Sequence, residues 1–225
     1  DVSELPSDQW PAFPVRQSRQ NLLALYAAIP PKFEDTFVRI EQVDATGRGS
    51  SNVGPPRRYP GRILVGDFTW PDFDRDGLTD LVTWKPAAAG TSIAAVLDMG
   101  WSDTRPVSLA IHRFDPDRRL FDPEPLAVIR ANLPLEWFNS AKPLRNVIYR
   151  DVDADGMIDV GFSTRPHEYS IWSRRTGFER GPAYVVRSQD PIERIIRDID
   201  LGSEADSVVL FQSTNAVLVV HIPSS

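Results

Sequence analysis

The chain has 225 residues, of which 41% are hydrophobic and 25% charged, so it can bury a core and is too apolar to be a disordered segment. It has no cysteine, which excludes disulfide scaffolds, zinc ribbons and thiol catalysis, and no apolar run approaches the roughly 20 residues that span a bilayer. The formal net charge is −6, and the acidic residues concentrate in two short loops, so the chain offers no basic stripe for nucleic acid.

The first 35 residues differ from the rest and are predicted to form an N-terminal arm with one short helix. Residues 1–14 are polar and rich in proline, which is typical of an extended arm. Within residues 16–29, Leu22, Tyr26 and Ile29 recur with helical spacing. We expect this helix to pack on the end of a β domain; the alternative is a helix that docks on a partner protein.

Residues 36–225 are predicted to form a domain of β-strands, because the pattern changes to short apolar runs of period two. Twenty prolines and 13 glycines in the chain also favour short strands. Three segments each contain a strand, an acidic loop, a second strand and a further β-rich run, which indicates a repeat. The first strands are 61–68, 145–150 and 193–197, the second strands are 80–84, 159–163 and 206–211, and the further runs are 92–99, 168–173 and 216–222.

Additional strands are expected at residues 107–114 and 126–131, between the first two repeats. A fainter fourth copy of the acidic loop lies at residues 43–47, after an expected strand at 36–40. The repeats are unevenly spaced, and the long interval between the first and the second accommodates the extra strands.

Two acidic loops of nine residues carry the metal chemistry that the sequence predicts. The first acidic loop (residues 72–80) and the second acidic loop (151–159) have aspartates at positions 1, 3, 5 and 9 and glycine at position 6. Hard oxygen ligands at this spacing can wrap a calcium ion, which takes 6–8 oxygens, whereas magnesium prefers to keep several waters. The predicted ligands are the carboxylates of Asp72, Asp74, Asp76, Asp80, Asp151, Asp153, Asp155 and Asp159 and the main-chain carbonyls of Leu78 and Met157.

The third acidic loop (residues 198–206) is a degenerate copy. It keeps Asp198, Asp200 and Asp206, but glycine and serine stand at positions 5 and 6, and Glu204 could compensate in part. An EF-hand is excluded for the two full loops, since position 12 is Thr83 or Phe162 instead of glutamate, and strand-forming residues follow.

These units of strand, DxDxDGxxD loop and strand resemble the FG-GAP or VCBS repeats of integrin α-type β-propellers. The segment 66–68 followed by 76–81 is closest to that pattern, and the resemblance extends over residues 60–222. It implies an all-β fold of antiparallel, blade-like repeats, with calcium bound between the first two strands of a blade. Propellers have at least about four blades, so the three repeats identified belong to a complete ring with unmarked blades or to a partial β-propeller.

The resemblance implies a non-catalytic, calcium-stabilised module for protein–protein interaction, acting as a subunit or accessory of a larger extracytoplasmic assembly. A periplasmic, cell-surface or secreted location fits calcium sites of about 10⁻⁴ to 10⁻³ M affinity. The alternative is a carbohydrate-binding propeller that stacks sugars on tryptophans such as Trp70, Trp101, Trp137 and Trp172. A polysaccharide-active enzyme is a further alternative.

The sequence contains no recognisable catalytic motif. A GxSxG elbow, an HExxH helix and a phosphate-binding loop are all missing. His112, His167 and His221 are isolated, and no pattern marks Glu124 and Glu136 as an acid–base pair. We therefore expect that the protein is not an enzyme.

Overall fold

The computed structural model describes residues 12–16, 22–28, 35–43, 49–52, 57–64, 71–87, 103–139, 144–199, 207–213 and 215–222. Antiparallel β-strands dominate these residues, and the only helices among them are two 3-10 helices, Leu135–Asn139 and Phe178–Arg180. Within this part of the chain, no helix has the length and apolar character needed to cross a membrane. The strands form open antiparallel sheets, which confirms the all-β class; the propeller arrangement stays a prediction.

The first five strands form one sheet. Its order is β1-β2-β3-β4, and β5 also pairs with β3. The five strands are β1 Ala12–Arg16, β2 Leu22–Ala28, β3 Thr36–Val43, β4 Gly49–Asn52 and β5 Arg57–Tyr59.

The helix expected over residues 16–29 is wrong, because residues 22–28 form strand β2. Every residue of β2 is paired, from Leu22 opposite Val43 to Ala28 opposite Phe37, while β1 pairs along its other edge. The segment is apolar almost throughout, so its helical stripe is also compatible with a central strand. Hydrogen bonds from two neighbouring strands select the extended backbone.

Two four-stranded sheets follow, with the orders β6-β7-β8-β11 and β12-β13-β14-β15. In the first, β8 lies beside β11, although a two-stranded hairpin of β9 and β10 intervenes between them in the chain. The first sheet and its hairpin comprise β6 Arg62–Ile63, β7 Leu81–Pro86, β8 Thr104–His112, β9 Phe114–Asp115, β10 Leu120–Phe121 and β11 Ala127–Pro134. The second sheet comprises β12 Arg145–Arg150, β13 Asp159–Arg165, β14 Glu168–Trp172 and β15 Tyr184–Arg187.

The last sheet has the order β16-β17-β18. Its strands are β16 Ile192–Ile199, β17 Ser207–Ser213 and β18 Val217–Ile222. The strands expected around the acidic loops are confirmed, except that only Arg62–Ile63 of the described part of 61–68 form a strand; β3, β8 and β11, near 36–40, 107–114 and 126–131, are confirmed as well. The run expected at 92–99 and all but residue 43 of the faint loop expected at 43–47 lie outside the described residues.

Contacts divide the chain into two compact units, each with a core. Unit 1 comprises Asp1–Leu64, Trp70–Lys85 and Leu109–Val128, and unit 2 comprises Val65–Thr69, Pro86–Ser108 and Ile129–Ser225. The core cluster of unit 1 consists of Val38, Tyr59, Ile63, Leu81, Phe114 and Phe121. That of unit 2 consists of Ile148, Val152, Tyr169, Ile171, Val186, Ile192 and Phe211. The predicted division at residue 36 stays a prediction.

In unit 2, the sheet β12–β15 packs against the sheet β16–β18. The rings of Tyr169 on β14 and Phe211 on β17 are 5.0 Å apart between centroids. The side-chain amide of Asn146 on β12 donates a hydrogen bond of 3.3 Å to the carbonyl of Ile192 on β16. An aromatic contact and a hydrogen bond therefore join these two sheets. The second acidic loop begins where β12 ends, so it starts from this joined pair of sheets.

Candidate metal centres

The two full acidic loops follow the same backbone path between the first two strands of the two four-stranded sheets. At position 4, Arg75 and Ala154 have φ of 64° and 55°, and at position 6, Gly77 and Gly156 have φ of 82° and 81°. These values lie in the left-handed region, which glycine adopts without steric cost. The turn that the sequence predicts at position 6 is therefore present in both loops.

The carboxylate at position 9 closes each loop onto its beginning. Asp80 Oδ2 accepts a hydrogen bond of 2.7 Å from the Phe73 backbone N–H, and Asp159 Oδ2 accepts one of 2.9 Å from that of Val152. Asp80 and Asp159 are buried, and so are the side chains of Phe73 and Val152 at position 2. Each loop is thus fastened at both ends to the buried interior of its own unit.

The carboxylates at positions 3 and 5 accept hydrogen bonds from N–H groups two residues further along. Asp76 Oδ1 accepts one of 2.8 Å from Leu78, and Asp155 Oδ1 accepts one of 2.7 Å from Met157. The bonds to the position 3 carboxylates are longer, at 3.3 and 3.4 Å. Such turns are typical of aspartate; the carbonyls of Leu78 and Met157 stay predicted ligands.

Three of the four predicted carboxylates in each loop converge. In each triad, one oxygen from every residue lies within 4.8 Å of the others, and the triads are Asp72, Asp74, Asp80 and Asp151, Asp153, Asp159. Asp76 and Asp155 are not members of these triads. Charges of one sign at this separation repel strongly in a partly buried site, so a bound cation would stabilise each triad.

Several buried carboxylate oxygens have no hydrogen-bond partner in the described part of the chain. They are Asp72 Oδ1, Asp151 Oδ1, Asp155 Oδ2 and Asp159 Oδ1. Asp80 Oδ1 differs from its counterpart on Asp159, because it accepts a 3.2 Å hydrogen bond from the Phe114 N–H. Buried polar atoms in proteins are nearly always satisfied. The oxygens therefore fit a cation with oxygen ligands, and the second acidic loop has more of them.

Burial raises the pKa of Asp80 and of Asp159 to about 7, against the lowering effect of hydrogen bonds from Phe73 and Val152. The neighbouring carboxylates in each loop raise these pKa values further. Burial also raises the pKa of Asp74. Without a cation, the folded loops consequently retain protons near neutral pH, and a metal ion competes with those protons.

Three side chains from outside the second acidic loop contact its Asp153 carboxylate, and no pattern in the sequence predicts these contacts. Asp153 Oδ2 accepts hydrogen bonds from the hydroxyls of Ser173, at 3.3 Å, and Tyr184, at 3.4 Å. Arg175 Nε lies 3.8 Å from the same oxygen. These residues follow β14 or belong to β15, so only the strand pairing brings them to the loop; motif spacing within the loop carries no signal for them.

Most of the third acidic loop lies outside the described residues. Asp200, Glu204 and Asp206 lie outside the described residues, and Asp198 is described only as a backbone position of β16, opposite Val209. Its degenerate metal site therefore stays a prediction.

Of the four tryptophans considered for sugar stacking, the two that the structure describes are buried. Trp137 and Trp172 are each only 2% exposed, so neither is a surface platform for a sugar, and Trp70 and Trp101 lie outside the described residues. His112 is buried, with Nδ1 2.8 Å from the Asp122 carbonyl and Nε2 3.5 Å from the Thr83 hydroxyl.

A comparison of the chain with models of known protein families gives no match, and a search of curated proteins finds no relative. The function is therefore inferred from the loops and from the sheets that hold them.

Proposed function

We propose that this protein is a non-catalytic, calcium-stabilised β module that binds a protein partner in a larger extracytoplasmic assembly. The observation that carries the proposal is the pair of acidic loops, which share one backbone path and contain buried carboxylate oxygens that no described residue hydrogen-bonds. In such a module the ions fix the loops that join successive strands, and a surface elsewhere binds the partner.

The donor set favours calcium over other metals. All the converging side chains are carboxylates, which suit hard cations, and no histidine belongs to either triad. Each loop has four carboxylates, three in the triad and one at position 5, and together with the predicted main-chain carbonyl at position 7 they suit the larger shell that calcium takes and magnesium does not. Calcium of modest affinity in turn favours a periplasmic, cell-surface or secreted location.

The sheets support a β-propeller of the FG-GAP or VCBS type. Both four-stranded sheets hold an acidic loop between their first and second strands; the strands of one are consecutive in the chain, and in the other the β9–β10 hairpin intervenes between the third and fourth strands. Residues 159–164 of β13 are buried without a break, so both faces of this strand are covered, as in a blade that lies between two others. The stacked rings of Phe162 and Trp172, 4.5 Å apart, fill the face opposite Tyr169.

Exposed side chains on strand β18 favour a protein partner. Leu218 and Val220 on β18 pack against the core of unit 2, while Val217 and Val219 on the other face are 56% and 68% exposed. Within the described residues, β18 pairs with β17 alone. Exposed valines beside a strand edge that pairs with no other described strand are typical of a surface that another protein covers.

Calorimetric titration of the chelator-treated protein with Ca²⁺ and with Mg²⁺ tests the metal part of this proposal. We expect calcium to bind at two sites and to raise the melting temperature, and magnesium to bind more weakly. Equal affinity for the two ions, or no binding of calcium, would contradict the proposal.

Affinity capture from the native source tests the partner. We expect a protein that the wild-type chain retains and that Val219→Asp loses, because a charge on the outer face of β18 opposes apolar contact. Arg187→Gln, which changes an exposed residue of β15, is the control and should retain the partner. A captured set that is the same for all three baits would contradict this surface assignment.

A further inference from the structure

An arginine from outside the loop lies beside the position 3 carboxylate in both acidic loops. Arg113 Nε lies 3.7 Å from Asp74 Oδ2, and Arg175 Nε lies 3.8 Å from Asp153 Oδ2. The same nitrogen faces the same oxygen in two separate units of the chain. Arg113 directly follows β8 and Arg175 follows β14 by three residues, and these are the third strands of the two four-stranded sheets.

We propose that Arg113 and Arg175 are built-in counter-cations that lower the calcium affinity of the two acidic loops. The inference rests on the proposed function, since it takes calcium as the ion that the loops bind. Without calcium, each guanidinium offsets part of the repulsion within its triad. When calcium binds, the guanidinium and the ion share one carboxylate, and their mutual repulsion weakens binding.

Both arginines have a second group to contact when the loop contains an ion. Arg113 Nη2 lies 3.7 Å from Asp122 Oδ2, outside the first acidic loop. Arg175 also interacts with the hydroxyl of Tyr184, which itself donates a hydrogen bond of 3.4 Å to Asp153 Oδ2. The side chains of Arg113 and Arg175 are 51% and 44% exposed, so they can turn away without a change in the fold.

The effect should be larger in the second acidic loop. The side chain of Asp153 is fully buried, whereas that of Asp74 is 15% exposed. Water screens a buried pair less than an exposed one, so the charge of Arg175 acts more strongly on its carboxylate and on an ion bound there. Arg113 also divides its charge between two carboxylates, which reduces its effect on the first loop.

Calcium titration of Arg175→Gln tests the inference. The variant is made in an Asp76→Asn background, so that the heat reports mainly on the second loop. We expect the calcium Kd to fall by about fivefold and the difference to shrink at high salt, because the arginine is partly exposed. In chelator, the melting temperature should fall by about 2 °C, since a counter-charge is lost.

Two further variants separate the effect of the arginine's charge on calcium binding from an effect on folding. Arg175→Lys keeps the charge and should bind calcium as the parent does. Arg187→Gln removes the charge of an arginine whose partner, Glu168, lies outside the acidic loops, and should leave the Kd unchanged. A role in folding alone would lower stability in Arg175→Gln without tightening calcium binding.

The outcomes distinguish this inference from the proposed function. If Arg175→Gln binds calcium with unchanged or weaker affinity, the inference is overturned while the calcium site stands. If the wild-type protein binds no calcium, both are overturned. Should Arg175→Gln not fold, Arg113→Gln in an Asp155→Asn background makes the same test on the first acidic loop, with a smaller expected tightening.

Discussion

The two carboxylate oxygens of Asp155 differ in their contacts. Oδ1 accepts the hydrogen bond from Met157, whereas Oδ2 is buried and has no hydrogen-bond partner among the described residues. Asparagine can accept the same hydrogen bond but lacks the charge. We expect Asp155→Asn to weaken calcium binding and to lower the free energy of unfolding in calcium by up to about 2.7 kcal/mol, the contribution of an ion present at about 100 times its Kd.

In chelator, Asp155→Asn should leave stability unchanged or slightly higher, because one repelling charge is removed. Urea unfolding in calcium and in chelator measures the difference, and Asp117→Asn in an exposed turn is the control. An equal loss under both conditions would mean that Asp155 stabilises the fold without an ion.

Glycine is favoured at position 77 because of its backbone conformation and not because of a lack of space for a side chain. Its φ is 82°, and a Cβ placed on it would meet no atom within 4 Å. Gly77→Ala should therefore cost about 1–2 kcal/mol of unfolding free energy through left-handed strain. Gly77→Asn should cost less, because asparagine tolerates this region better. Denaturant unfolding in chelator compares the two, and an equal cost would argue against backbone strain as the cause.

At the scale of elements, the sequence predicts well what depends on neighbouring residues. Strand β12 has the bounds expected from its short apolar run, and the turn glycines of both loops adopt the predicted conformation. The sequence predicts a helix where strand β2 forms, because an apolar segment is compatible with a helix and with a central strand until its neighbouring strands are known. Arg113 and Arg175 could not be placed beside the loops, since their contacts depend on strand pairing between distant segments.

Gly161 on β13 provides the space that Tyr169 on β14 occupies. A Cβ at Gly161 would lie 2.6 Å from the Tyr169 hydroxyl and 3.0 Å from Ile148 Cγ1. The hydroxyl donates a hydrogen bond of 2.9 Å to the Asn146 carbonyl, and the ring contacts Phe211. Gly161→Ala should therefore displace Tyr169 and cost about 1–3 kcal/mol, the usual range for overpacking.

A double-mutant cycle with Tyr169→Phe tests this explanation. Removing the hydroxyl relieves the closest contact, so the combined variant should be more stable than the sum of the two single changes predicts. Strict additivity of the two unfolding free energies would show that Gly161 is needed for another reason, such as strand twist.

At the scale of the whole molecule, the buried aspartates make stability depend on pH. The direction of this dependence should differ between the calcium-free and the calcium-bound protein. Without calcium, burial raises the pKa of Asp80 and Asp159 from 3.8 to about 7. Between these values the folded chain binds more protons than the unfolded chain, so stability falls as the pH rises. In chelator, we expect the melting temperature to be higher at pH 5 than at pH 8.

Saturating calcium should reverse this dependence. The ion binds the charged carboxylates and displaces their protons, so its contribution to stability increases as the pH rises through 7. The gap between the melting temperatures in calcium and in chelator should consequently widen from pH 5 to pH 8, and Asp155→Asn should narrow it. Calorimetric scans across this range measure both curves. Parallel curves would mean that the aspartates do not exchange protons for calcium, and the acidic loops would then have to be stabilised by the protein alone.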